Sequence, residues 1–123
     1  MNGSAVHPRM ELDGVIHPPI RLSVIAILSR NSQFEFGKIC NAVGISAAVL
    51  SKHMSSLEAA GYIHVQKGYV GRRPRTWLSI TEPGLEAFER HTAALLAISR
   101  GPSSRGENGL EQRRDGAGRV GAD

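Results

Sequence analysis

The sequence of 123 residues holds a single cysteine, Cys40, which excludes an internal disulfide. It has no long apolar run: the longest, VIAIL at 24–28, is far too short to span a bilayer. No charged segment followed by an apolar one opens the chain, so no signal peptide is expected and the reducing cytoplasm is the expected compartment, without a membrane partner. No glycine-rich phosphate loop follows a strand, no G-x-S-x-G elbow occurs, and the acids are few and scattered, which argues against an enzyme. His7, His17, His64 and His91 show neither i, i+4 pairing nor cysteine company, and His53 falls on an inward helix face, so neither a metal nor any cofactor is expected.

What is present is enough for one small domain, since 41% of the residues are apolar. The net charge of +4 is unevenly placed. From residue 101 onward four arginines meet four acids, so residues 1–100, with 11 basic against 7 acidic residues, carry the whole excess. Lys67, Arg72, Arg73 and Arg75 lie within nine residues that contain no acid. A local concentration of positive charge of this kind attracts an anionic partner.

Residues 1–8 are polar and aperiodic and are expected to be disordered. A short helix is expected over Arg9–Ile16, with Met10, Val15 and Ile16 as apolar contacts and Gly14 weakening it. Pro18 and Pro19 can start a helix, where a missing N–H costs nothing, and this one runs to about Arg30 with Ile20, Val24, Ile27 and Leu28 on one face. EFGKICNAV reads as a short helix with Phe36, Ile39, Cys40 and Val43 inward, ended by Gly44. Ser46 is placed to cap a further helix that extends to Ala60. YIHVQKGY and TWLSI alternate as strands, with Ile63, Val65, Leu78 and Ile80 inward, and Gly68, Gly71 and Pro74 supply turn chemistry between them. Thr81 caps a last helix with an apolar stripe of Leu85, Phe88, Leu95 and Leu96, ending near Ser99 before Gly101-Pro102. Residues 101–123, rich in Gly and Arg, cannot bury enough surface to order themselves.

The helix opened by Ser46 turns Leu50, His53, Met54 and Leu57 inward and Ala48, Ser51, Lys52, Ser55 and Ala59 outward. An outer face of small residues with one lysine suits close approach to another surface. A short helix, a turn containing glycine and such a second helix form a helix-turn-helix, whose second helix enters a DNA major groove. A basic hairpin beside it reaches the flanking backbone or a narrow minor groove.

These residues resemble the short winged-helix transcriptional regulators of the MarR and ArsR kind, through LDGVIHPPIRLSVIAIL, GISAAVLSKHMSSLEAAGYI and GRRPRTWLSITEPG, over about 70% of the chain. The fold implied is mainly α with a small β-hairpin wing: a winged helix-turn-helix (α+β) over residues 9–100, dimerising through its terminal helices. By the same resemblance Ser46, Ala47, Ala48, Ser51, Lys52 and Ser55 meet DNA from the recognition helix, and Lys67, Arg72, Arg73 and Arg75 meet it from the wing. Met10, Leu12, Ile16, Leu85, Phe88, Leu95 and Leu96 fall to the dimer contact. The implied partners are a second copy of the chain and double-stranded DNA carrying a pseudo-palindromic operator, with repression the commoner outcome and any small-molecule effector unknown. The paired cysteines of many ArsR-type metal sensors are absent, so no metal response is implied.

Competing readings stay open on the sequence alone. The arginine-rich turn can be a solvated loop, and the small-residue helix face a packing surface. Cys40 reads more readily as a buried small hydrophobe than as a redox sensor, and Trp77 more readily as a cover for the hairpin than as a stacking platform. A winged helix can also dock an acidic protein through a basic tip, because fold does not fix function.

Overall fold

The computed structural model describes residues 6–102. The disorder expected at the two ends falls mainly on residues outside that range. A 3-10 helix at Pro8–Glu11 comes first, followed by α1 (Pro19–Ser29), β1 (Phe34–Glu35), α2 (Phe36–Val43), α3 (Ala47–Ala59), β2 (Ile63–Val70), β3 (Arg73–Ile80) and α4 (Glu82–Arg100). The antiparallel sheet has the order β1-β3-β2.

The helices form where amphipathic spacing and caps coincide. α1 begins at the double proline and buries Val24, Ile25 and Leu28. α2 buries Ile39 and ends at Gly44, whose φ is 77°. The Ser46 side chain accepts a hydrogen bond from the Val49 N–H at the start of α3, which buries Leu50 and Leu57. These residues meet Ile63 and Leu78 of the sheet in one core, and Phe36, Cys40, Val43, Met54, Val65 and Ile80 pack against it. Burial of each such aliphatic side chain contributes roughly 1.5–3 kcal/mol before the cost of ordering the chain.

Four local expectations need correcting. The helix expected over Arg9–Ile16 is only the single 3-10 turn Pro8–Glu11. Downstream of it the Asp13 carboxylate accepts from the N–H groups of Val15 (2.8 Å) and Ile16 (3.3 Å), holding a turn that competes with helix. Phe34–Glu35 adds a two-residue strand to the hairpin, pairing with Leu78 and Trp77, where Glu35 was expected to open the helix EFGKICNAV. The hairpin strands are also longer than their alternation indicated. Val70 pairs with Arg73, so the connection is Gly71-Arg72 alone, and Gly68 and Pro74 sit in the ladder opposite Arg75 and Tyr69. Gly71, with φ 65°, supplies the left-handed backbone that a two-residue hairpin requires at its first central position.

α4 also departs from its expected stripe. Its buried line is Gly84, Ala87, His91 and Ala94, spaced three and four apart. Leu85, Phe88 and Leu95 are half-buried, and Leu96 is exposed. Small residues on the buried line let the 3-10 helix and α1 lie close against α4.

Candidate nucleic-acid interface

The outer face of α3 is as bare as its spacing implied. Ser46, Ala47, Ala48, Ser51, Lys52, Ser55 and Ala59 are all exposed. The Ser46 hydroxyl oxygen accepts from the Val49 N–H at 3.2 Å, and the Ser55 hydroxyl donates to the Ser51 carbonyl at 3.1 Å, leaving the Ser55 oxygen as an outward acceptor. Among the described residues Lys52 makes no ion pair. His53, on the half-buried side of the helix, takes the Arg21 Nε–H at its Nδ1 (3.1 Å), which places its own proton on Nε2. Burial, then the charges of Arg21 and Lys52, pull its pKa below 6.5, so the ring is neutral at pH 7.

The wing is more differentiated than its sequence. Alternation along β2 and β3 puts Lys67 and Tyr69, with Thr76 and Pro74 opposite, on the sheet face that carries Ile63 and Leu78, and puts Val70, Arg73, Arg75 and Trp77 on the other. The four cations therefore do not form one patch. Arg72 occupies the turn, and Lys67, Arg72 and Arg73 are exposed. Arg75 is not free: its Nη1 lies 3.2 Å from Glu35 Oε2. Trp77 lies across Gly68, close enough that a side-chain carbon there would sit 3.2 Å from the indole ring. The pyrrolidine of Pro74 falls on a stretch of β3 beyond its pairing with β1, where a missing N–H leaves no ladder bond unmade.

The residues expected at a dimer contact are of two kinds. Met10 and Leu96 are 64% and 51% exposed. Leu12, Leu85, Phe88 and Leu95 are half-buried, Phe88 packing against the core. Ile16 is fully buried within the protomer and has no surface left to offer a second copy.

Sequence reasoning passed over the polar cluster beneath these residues. The Tyr62 hydroxyl donates to Asp13 Oδ2, the Asp13 N–H donates to His91 Nδ1 at 2.9 Å, and His91 Nε2 lies 3.4 Å from His17 Nδ1. His91 is fully buried, and the N–H aimed at its Nδ1 requires a lone pair there, so the neutral ring carries its proton on Nε2. Burial and then His17 push its pKa below 6.5, against a smaller opposing pull from Asp13. Burial works against ionisation of Asp13, but the Tyr62 hydroxyl and the N–H groups of Val15 and Ile16 outweigh it and hold the carboxyl below its ordinary value of 3.8. In turn the Asp13 hydrogen bond, with burial, raises the Tyr62 phenol above 10.0. A polar cluster assembled from positions 13, 17, 62 and 91 leaves no local spacing signal.

A small-residue helix laid over a three-helix core, with a basic two-stranded wing beside it, is the arrangement of the winged helix DNA-binding domain, and the model of that family matches residues 20–98. The chain belongs to that family. A relative, uncharacterized protein MJ0432 of Methanocaldococcus jannaschii, is 23% identical over 86 residues, covering 70% of this chain and 94% of its own. Among solved structures, the transcriptional regulator homologue protein from Pyrococcus horikoshii OT3 superposes with a TM-score of 0.66 at 28% identity, over 71% of this chain and 86% of that one. The transcriptional repressor CouR, solved bound to a 23-mer DNA duplex, shares the fold with a TM-score of 0.58 at 19% identity, over 75% and 70% of the two chains. The architecture this chain shares with these structures is the winged-helix fold, and the family is that of winged helix DNA-binding domains. Among the described residues no group of three or more His, Cys, Asp or Glu could hold a metal ion, and no helix is long and apolar enough to cross a membrane.

Proposed function

We propose that this winged-helix protein is a sequence-specific, homodimeric regulator of transcription that binds double-stranded DNA, and most simply a repressor that blocks promoter access. The observation that carries the proposal is the exposed face of α3, with Ala47, Ala48, Ser51, Lys52 and Ser55 turned outward beside a wing whose Lys67, Arg72 and Arg73 are exposed. In a major groove, Ser51 and Ser55 can bond base edges of either kind, an alanine methyl can touch thymine, and Lys52 can reach guanine or phosphate. Such short side chains give modest base readout, so the wing cations supply much of the affinity through counterion release. Met10 and Leu96, exposed near opposite ends of the described chain, are the residues we assign to contact with a second copy. The DNA-bound CouR repressor, alike in fold, supports a double-stranded target and a repressing outcome.

Selection of genomic fragments with the purified protein at near-physiological salt, followed by titration of the best fragment against a scrambled one, tests the reading. An enriched inverted repeat, with half-sites about one helical turn apart and bound about a thousandfold more tightly than the scramble, is expected. No enrichment, with binding that vanishes as salt rises, would refute sequence-specific regulation and turn attention to acidic protein partners.

A further inference from the structure

Glu35 and Arg75 are forty residues apart in sequence yet joined at the root of the wing. Glu35 closes the two-residue strand β1, opposite Trp77 on β3, and immediately precedes α2. The Arg75 Nη1 reaches its Oε2 at 3.2 Å, with 34% of the arginine side chain and 20% of the carboxylate side chain exposed. A shallow concavity over the pair is lined by Glu35, Lys38, Val70, Arg75 and Trp77, on the same sheet face as Arg73. The contact is a single ion pair, with most of both side chains covered from solvent.

We propose that Glu35 sets the electrostatic strength of the wing: it keeps the Arg75 guanidinium out of the phosphate contact, leaving Arg72 and Arg73 at the wing's end to engage DNA. The proposal rests on the DNA-binding reading of the fold. An arginine released to phosphate adds affinity equally for every sequence, whereas base contacts alone separate one site from another. By occupying Arg75, and by placing a negative charge at the base of the hairpin, Glu35 lowers binding to preferred and arbitrary DNA by the same factor and leaves discrimination between sites to the base contacts. It also ties β3 to the strand that leads into α2, so the angle of the wing and the discount on its charge come from the same bond.

The test measures the salt dependence of binding to a short duplex of random sequence for wild type, Arg75→Ala, Glu35→Gln and the double variant, with melting temperatures to confirm folding. Arg75→Ala is expected to leave the slope of log K against log salt unchanged. Glu35→Gln is expected to steepen it by about 0.9, the value of one added phosphate contact, and to raise affinity several-fold for random and preferred duplexes alike. The double variant should return to the wild-type slope. A role confined to folding would move the melting temperatures without producing this pattern. A flatter slope in Arg75→Ala alone, or no steepening in a folded Glu35→Gln, overturns the proposal while leaving the DNA-binding reading intact. Failure of the wild-type chain to bind any duplex overturns that reading and the proposal with it.

Discussion

Replacing Gly84 by alanine sets helix propensity against geometry. Gly84 is the third residue of α4 and is buried, and a methyl group there would lie 2.2 Å from the Tyr62 carbonyl oxygen, 2.9 Å from its carbon and 3.0 Å from Ile80 Cγ1. Ordinary contact begins near 3.4 Å, so the start of α4 must retreat by about 1.2 Å from a backbone group that cannot swing aside. That retreat stretches the bond from the Thr81 N–H to the Tyr62 oxygen (3.0 Å) and from the Thr81 hydroxyl to the Gly61 oxygen (2.7 Å). Two such bonds are worth about 1 kcal/mol each, and overpacking adds about 1–3 kcal/mol. The gain from alanine's better helix propensity is at most about 1 kcal/mol. The net expectation is destabilisation by about 2–4 kcal/mol, a fall in melting temperature on the order of 10–20 °C for a domain of this size. Thermal denaturation followed by circular dichroism measures it, with Gly14→Ala as the control, since nothing lies within 4 Å of a methyl at that position. A Gly84→Ala protein that melts at or above the wild-type temperature would refute the close approach of α4 to the strand entrance.

Ser46→Ala removes the α3 cap and is expected to cost about 1 kcal/mol, read as a lower urea midpoint at unchanged slope. Acidification should destabilise the fold in two stages. The lowered pKa values of His91 and His53 mean that the unfolded chain binds more protons below pH 6.5, so stability is full above that value and falls beneath it, and Asp13 extends the loss below pH 3.8. Tyr62, raised above 10.0, contributes stability that is present below that pH and lost only at more alkaline values. Melting temperatures from pH 8 to pH 4 check the sign, and His91→Gln, which keeps an acceptor for the Asp13 N–H, should flatten the first stage; a wild-type curve flat from pH 7 to pH 5 would contradict it. Leu96→Glu is expected to convert a dimer to monomers by sedimentation equilibrium, and a wild-type protein that already sediments as a monomer would end the dimer proposal.

The parts that could be read in advance are those in which one stretch of chain decides its own structure. α1, α2 and α3 each combine an apolar period with a cap or a breaker at the end, and the bare face of α3 follows from its sequence because none of the described residues folds over it. Elements decided by distant partners were not readable. β1 is two residues long, too short to show alternation, and exists because β3 has a free edge beside it. The buried line of α4 passes through His91 and three small residues rather than the leucines, because the segment before α1 lies against it. Arg75 looks like its neighbours in the basic run, and only its distance to Glu35 separates it from them.

The turn at Asp13–His17 bears on where the folding unit begins. The match to the winged-helix family begins at residue 20, within α1. Yet Ile16 is wholly enclosed, the Val15 carbonyl receives the Arg21 guanidinium at 3.2 Å, and Asp13 clasps both Tyr62 and His91. A chain trimmed to the homologous stretch would keep the entire recognition helix and wing, and would lose the plug that seals α4 against α1. The segment that closes this domain's core thus reaches back beyond α1, and a few residues ahead of the family match belong to its interior.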